Sequence, residues 1–269
     1  MKSDLSLIDF VKELPITSED TVFVSSDLFK LALACHQQKI KFSANLLIDA
    51  LLAQLPNGTL VIPAYTDDLK SGDCFDIRHS KPNTGALSMA CFKRPEFIRT
   101  SDPFHSFFVA GVQKENFANL NNQSTFGTDS GFAILHKLNA KAIFIDVTLQ
   151  DSFTFVHYCE EKLKIKYRKF KAHQIHYTFN TGEESLITHQ FFTRKKGYVC
   201  NFHQLENQLE KRDILKSHSW LNSTIKFANY NELYDFISED IALNKARNVH
   251  KFSFYEYFRC TAKQILSRK

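Results

Sequence analysis

The 269 residues read as one α/β domain, 1–269, with a helical C-terminal portion. Three observations predict this. TVFVSS and TLVIPAY are short β-branched apolar runs, each bounded by polar or turn residues, which is how buried strands are written. Between them, Leu46, Leu47, Ala50, Leu51 and Leu55 repeat at helical spacing until Pro56-Asn57-Gly58 stops the pattern. All six prolines precede residue 104, so no Pro-rich linker sets off a C-terminal domain.

In chain order, Leu5, Ile8, Val11 and Leu14 make residues 4–14 an amphipathic opening helix. The TVFVSS strand ends at Ser25, Ser26 and Asp27, and a helix follows from Leu28 to about Cys35. A strand emptying into a serine-rich helix start is either an anion site, because the first helical amides lack partners, or a simple cap by Ser26 or Asp27. Ser43 opens the next helix and TLVIPAY is the second strand. Residues 66–85 are polar and aperiodic, a loop long enough to expect function. GALSMACFKR returns to helix, and AIFIDV is a further apolar run. Residues 163–170, LKIKYRKF, read as an exposed edge strand with solvated charges, and THQFFTRKKGYVCNF as further strand. Helices follow at 205–215, 231–243 and 251–266. The last places Phe252, Tyr255, Phe258 and Ile265 on one broad face; the expectation is a helix docked on the core, the alternative an interfacial helix.

Composition narrows the class. Hydrophobic content of 43% with 26 phenylalanines fits a globular chain with an aromatic core. Six scattered cysteines form no CxxC pair and no finger-like spacing, so neither a disulfide framework nor a metal site is expected. No window of about twenty apolar residues spans a bilayer, and the acids in the N-terminal helix argue against a signal peptide. A cytoplasmic protein with reduced thiols is the expectation. The net charge of +5 suits a polyanionic small molecule and is too weak to argue for nucleic acid.

The chemistry gathers between Arg99 and Glu160. Arg99, Thr100, Ser101 and Asp102 crowd the approach to Pro103, and Gly127 relieves the turn in STFGTDS, where Asp129 reads as a helix cap. Thr154, His157 and Glu160 stand three apart, so a helix presents all three on one face. A histidine beside a carboxylate is a candidate general base with an orienting partner. Cys159 points to another face and reads as a packed thiol.

In order and spacing, VIPAYT, NTGALS, the Arg99-to-Ser106 element, FGTDS and the Thr154-His157-Glu160 element resemble the aminoglycoside 3-N-acetyltransferase family. The resemblance reaches back to VFVSSDL and covers about the first two thirds of the chain. It implies a three-layer α/β/α fold with a central mixed sheet, and acetyl transfer from acetyl-coenzyme A to an amine. On that reading His157 is the base, with Glu160 or Asp102 holding its ring. Ser25, Ser26, Arg99 and Ser106 lie near the coenzyme, and Arg99 pairs with its phosphate or else makes a structural ion pair. Thr66, Asp67 and Thr154 are substrate contacts. Donors for the developing oxyanion are the amides near Ser25 and Ser26, or the Thr66 hydroxyl.

One departure stands out. Where the family has Arg-Ser and His-Pro, this chain has Arg99-Thr100 and Asp102-Pro103, and His105 falls on a variable position. The RTSDP form resembles relatives from bacterial surface-polysaccharide synthesis. It therefore implies a nucleotide-linked amino sugar as acceptor, in preference to an aminoglycoside antibiotic or to a non-catalytic binding protein on the same fold. The partners implied are this small molecule and, as an open option, a second copy of the chain. Membrane contact and nucleic acid are not expected.

Overall fold

A computed structural model describes residues 6–266, with side chains through residue 262. The N-terminal part supplies α1 (Leu7–Lys12), β1 (Thr21–Ser26), α2 (Phe29–Gln37), α3 (Ala44–Gln54), β2 (Thr59–Pro63), β3 (Cys74–Asp76) and α4 (Ala86–Cys91). The middle supplies β4 (Ile98–Arg99), β5 (Phe107–Gly111), α5 (Lys114–Ala118), α6 (Gly131–Lys137), β6 (Lys141–Ile145), α7 (Leu149–Ser152) and α8 (Phe155–Lys162). The remainder supplies β7 (Arg168–Thr178), β8 (Glu184–Arg194), β9 (Tyr198–Cys200), α9 (Phe202–Lys211), β10 (Lys216–Trp220), β11 (Ser223–Asn229), α10 (Tyr230–Asn244), β12 (His250–Phe252) and α11 (Phe254–Leu266).

Seven strands form the central sheet in the order β10-β11-β6-β1-β2-β5-β4. β6, β1 and β2 run parallel, and the flanking pairs are antiparallel, so the sheet is mixed. Alternation along each strand sends side chains to opposite faces. Phe23, Val61, Val109 and Phe144 enter one core with Phe132, Phe155, Leu205 and Leu233. Val22, Val24, Leu60, Ile62 and Ile143 enter the other with Phe10, Leu31, Leu47 and Leu87. Helices therefore cover both faces, giving the three-layer α/β/α arrangement. Each fully buried Leu, Ile or Phe is worth about 1.5–3 kcal/mol, whereas exposed ion pairs contribute roughly 0–1 kcal/mol. Burial decides the fold.

The C-terminal portion is not mainly helical: among the described residues, six of the twelve strands follow residue 163. β7 and β8 pair over eleven residues and, with β3, build a second sheet over the mouth of the first. β3 lies inside the 66–85 segment read as loop, held by parallel pairing of Cys74 to His176. β7 starts at Arg168 because Leu163 closes α8 and Lys164 takes φ 52°. The β10–β11 hairpin has no sequence signature. Its two-residue turn, Leu221-Asn222, holds Leu221 at φ 54°, and no Asn-Gly or Gly-Gly pair announces it.

α11 departs from the expected docking. Phe254 and Tyr255 are each 73% exposed and Phe258 is 65% exposed. Ile265 lies outside the residues whose side chains are described. Among the described residues, no helix is long and apolar enough to cross a membrane. All six cysteines are free.

Candidate active site

α8 begins just after Thr154, whose backbone is already helical, and its first two turns carry His157 and Glu160. Three-residue spacing puts the His157 ring beside the Glu160 carboxylate, with Nδ1 2.8 Å from Oε2. Glu160 is buried and receives three groups. The Tyr167 hydroxyl donates to Oε1 at 2.6 Å, the His157 ring meets Oε2, and Arg168 Nε lies 2.6 Å from Oε2 as an ion pair. Burial alone would raise the Glu160 pKa, but His157, Arg168 and Tyr167 hold it below the ordinary value. Glu160 is therefore an ionised partner for the imidazole, and in the tautomer whose Nδ1–H donates to it Nε2 is the nitrogen that accepts a proton.

Arg168 is the residue that sequence reasoning missed. It sits at the start of β7, 5% exposed, and its Nη1 donates to the Phe192 carbonyl at 2.8 Å. Its Nη2 lies 2.8 Å from His157 Nδ1 and 3.3 Å from Nε2. Burial first, and the neighbouring Arg168 charge second, lower the His157 pKa to about 4. The imidazole is thus fully in its basic form at neutral pH. No local signal marks Arg168. It stands in a basic run, on the opposite strand parity from the buried His173, Ile175 and Tyr177 of the same strand.

The exposed 17% of the His157 side chain opens on a cleft of about 370 Å³. Asp67, His105, Asp151, Arg194, Cys200 and Phe202 line it with His157. A second cleft, about 780 Å³, lies along the ends of β1 and β2 and is lined by Ser25, Ser26, Thr84, Gly85 and Tyr65. The two share Asp67, His105, Asp151, Ser152 and Thr154, so they meet beside His157. Gly85 takes φ 90° in the wall of the larger cleft, a conformation that favours glycine. At the β1 end, Asp27 Oδ1 accepts from the Phe29 amide at 2.9 Å, but the N-cap of α2 is Leu28 and no side chain caps it, so neither Ser26 nor Asp27 is the cap. At the FGTDS turn it is Ser130 that caps α6. There a Cβ on Gly127 would lie 2.6 Å from Asp129 Oδ1.

Several predicted residues lie elsewhere. Arg99 and Ser106 are buried behind the larger cleft and line neither. Arg99 Nε donates to Ser106 Oγ at 2.9 Å, Nη2 to the Ala64 carbonyl at 2.8 Å, and Nη1 to the Ser80 carbonyl. The guanidinium also sits 4.8 Å from the Phe75 ring centroid. Three of its five N–H donors go to protein acceptors, and the buried group opens on neither cleft, so nothing here places it against a coenzyme phosphate. It makes no carboxylate pair either, and burial lowers its pKa to about 10. Its work is to tie the 66–85 segment to β2 and β5. Thr66 donates its hydroxyl to the Pro103 carbonyl, which removes it as an oxyanion donor.

Asp102 does not approach His157. Its Oδ1 accepts the amides of Phe104 and His105 at 2.8 and 2.7 Å, and its Oδ2 meets Asn122 and His189 at 3.0 and 3.1 Å. Burial would raise its pKa, yet the His189 ring and these hydrogen bonds hold it well below the usual carboxylate range. His105 lines both clefts, stacks on Phe191 and leaves Nδ1 without a partner. Burial lowers its pKa to about 4. Cys159 is fully buried, which pushes its thiol well up and leaves it inert.

A family model, Aminoglycoside 3-N-acetyltransferase, matches residues 36–242. Among solved structures, apo aminoglycoside acetyltransferase AAC(3)-IVa is similar with TM-score 0.70 and 21% identity, over 89% of this chain and 88% of that one. AAC-IIIb in its binary complex with coenzyme A gives TM-score 0.74 at 16% identity, over 92% and 96%. YokD from Bacillus subtilis gives TM-score 0.72 at 16% identity, over 88% and 97%. A search of curated proteins finds no match. The structural likenesses establish the fold, and the family match spans most of the chain. The chain belongs to the aminoglycoside 3-N-acetyltransferase family and is an N-acetyltransferase of the acetyl-coenzyme A-dependent kind.

Proposed function

We propose that this chain acetylates an amine of a polycationic amino sugar of the aminoglycoside class, with His157 as general base and Glu160 as its orienting partner. The observation that carries this reading is the junction of the two clefts beside His157. Donor and acceptor can then enter from different sides and meet at one imidazole.

The larger cleft fits the coenzyme in size and lining. Its volume lies in the ordinary range for ligand sites, and it offers the Ser25 and Ser26 strand end and the glycine turn at Gly85. Acetyl-coenzyme A supplies a thioester carbonyl there. As the new C–N bond forms, the amine nitrogen becomes strongly acidic, so a base with a pKa of about 4 is adequate. His157 Nε2 takes that proton while Nδ1–H stays on Glu160, and the imidazolium returns it to the departing thiolate as the C–S bond breaks. Glu160 offsets the charge that His157 gains, and Arg168 and Tyr167 keep Glu160 in place.

The acceptor is argued from local charge. Asp67 and Asp151 are exposed carboxylates in the smaller cleft; the Arg168 charge there is paired with Glu160, and the exposed Arg194 offsets one carboxylate, so the mouth keeps one net negative charge. Carboxylates at the mouth suit ammonium groups. The Asp102-Pro103 departure, which pointed to polysaccharide synthesis, lies off both clefts and carries no information about the acceptor. A variant of AAC(3)-IVa is known in complex with apramycin, and AAC-VIa with sisomicin; both ligands are aminoglycosides.

The test is mass spectrometry of products from acetyl-coenzyme A with two panels, aminoglycosides and nucleotide-linked amino sugars. Acetyl gain on an aminoglycoside is expected. Acetylation confined to the nucleotide-linked sugars would overturn the acceptor assignment. Coenzyme binding without turnover of either panel would overturn both acceptors.

A further inference from the structure

The net charge of this chain is concentrated at one end. The whole chain has 34 basic and 29 acidic side chains; residues 245–269 hold 7 and 1 of them, which leaves 27 and 28 for the rest. The same segment displays the largest group of exposed aromatic side chains. Phe254, Tyr255 and Phe258 are 65–73% exposed on α11, and Phe252 and Tyr257 are 44% and 41% exposed beside them. Positions 254, 255 and 258 share one helix face, so the aromatic surface is continuous.

The base of this patch is well anchored. β12 pairs antiparallel with β9, placing His250 opposite Cys200 and Phe252 opposite Tyr198. The Phe252 and Tyr198 rings meet edge to face at 5.3 Å, and the Ser253 amide donates to the Gly197 carbonyl at 2.7 Å. Gly197, at φ 83°, lies so close under Phe252 that a Cβ there would come within 2.5 Å of the ring. The inner side is packed against β9. The outer aromatic face is not.

We propose that α11 and β12 form a docking element for an anionic lipid surface, with Phe254, Tyr255 and Phe258 entering the interfacial layer and Lys251 and Arg259 beside them facing the headgroups. An amphipathic helix with aromatics on one face and Lys and Arg around it binds membranes in this way, through apolar burial and attraction to anionic lipid together. Charge also argues against a second copy as occupant. Two such segments face to face would each bring six net positive charges to one interface. The placement ties docking to the enzyme's site. β9, paired with β12, ends at Cys200, and α9 begins at Phe202; both residues line the His157 cleft. A lipid-bound molecule would therefore hold its acceptor cleft on the element next to the bilayer, where a polycationic acceptor also accumulates.

The experiment is vesicle sedimentation of the full chain. Two compositions are compared, equal parts phosphatidylglycerol and phosphatidylcholine, and phosphatidylcholine alone. The protein is expected to pellet with the anionic vesicles, to stay in solution with the neutral ones, and to lose most binding in roughly 0.5 M salt as charges are screened. Phe254→Ser with Phe258→Ser should weaken binding by at least tenfold. Both positions are exposed, so an unchanged circular dichroism spectrum and an unchanged thermal shift with coenzyme A are expected of that variant. No pelleting on anionic vesicles at low salt would overturn the proposal. So would equal binding by the serine variant, which would reduce the effect to diffuse charge. A concentration-dependent dimer abolished by the same variant, without lipid binding, would assign the patch to a second copy instead.

Discussion

Two histidine–carboxylate pairs lie in this molecule, and they are built from the same groups for different ends. His157 and Glu160 come from one helix, 2.8 Å apart, and the ring keeps 17% of its surface open to a cleft. His189 and Asp102 come from β8 and the loop before Pro103, 3.1 Å apart, at 4% and 7% exposure, and line neither cleft. Asp102 spends its remaining lone pairs on the amides of Phe104 and His105, and Thr125 fills the gap beside His189 Nε2 at 3.0 Å. A pair whose every acceptor is engaged inside the protein holds a loop in shape. A pair with one ring nitrogen left to a cleft can move a proton. The distinction lies in what surrounds the pair, not in the pair.

The comparison breaks most visibly at His157. His157→Ala should cut kcat by about a hundredfold to ten-thousandfold, with kcat/KM falling in step and coenzyme binding retained. Steady-state kinetics with an accepted amine measures this. A folded variant with near wild-type turnover would move the base to His105, the other imidazole at the junction of the clefts.

The parts of the site that were legible in the sequence are the local ones. Thr154, His157 and Glu160 follow from three-residue spacing on one helix, and Ser25 and Ser26 from a strand running into a helix. Arg168 and His189 reach their partners from a second sheet, and Tyr167 from the turn before it, and the placement of that sheet has no signature in any short window. Arg99, Ser106 and Thr66 show the opposite error. Polar side chains near a turn looked available for ligand, but the carbonyls of Ala64, Ser80 and Pro103 take their hydrogen bonds. Total charge misled in the same manner, because the excess sits in residues 245–269 and the clefts carry Asp27, Asp67 and Asp151 against Arg194, unpaired among the described residues. The parallel strands and the helices over them were readable because burial on both faces leaves continuous apolar runs.

Among the described residues, Arg168 lies against the His157–Glu160 pair and no such cation lies against His189–Asp102. The folded His157 pKa lies near 4, below the ordinary 6.5, so the acid limb of kcat/KM for the free enzyme belongs near pH 4 rather than in the usual histidine range. Arg168→Gln removes the second largest cause of that shift. The limb should move upward toward 6.5, while the rate at pH 8, where the ring is neutral in either protein, changes by less than about tenfold. A limb that stays in place while activity drops would reduce Arg168 to packing.

The smallest effect on catalysis is expected at the other pair, and there the readout is stability. Asp102→Asn keeps an oxygen for the Phe104 and His105 amides but removes the charge beside His189. It should cost about 1–3 kcal/mol at neutral pH and leave kcat within a factor of about three, checked by urea unfolding and by steady-state rates. The pH dependence separates this pair from the one proposed as catalytic. His105 and His157 have folded pKa values near 4, below the unfolded value of 6.5. Between those limits the unfolded chain binds more protons, so stability falls as pH drops from 6.5 to 4, by about 1.4 kcal/mol per pH unit for each group. That slope belongs to wild type and variant alike. Asp102 acts in a lower window. Its folded pKa is depressed below 3.8, so its contribution is complete above that value and is lost as pH falls through the folded one. The wild-type and Asn curves should therefore run parallel above about pH 4 and converge below it. Convergence that begins near pH 6 would mean that Asp102 gives up its charge in the histidine range, and the division between a structural pair and the pair proposed as catalytic would fail.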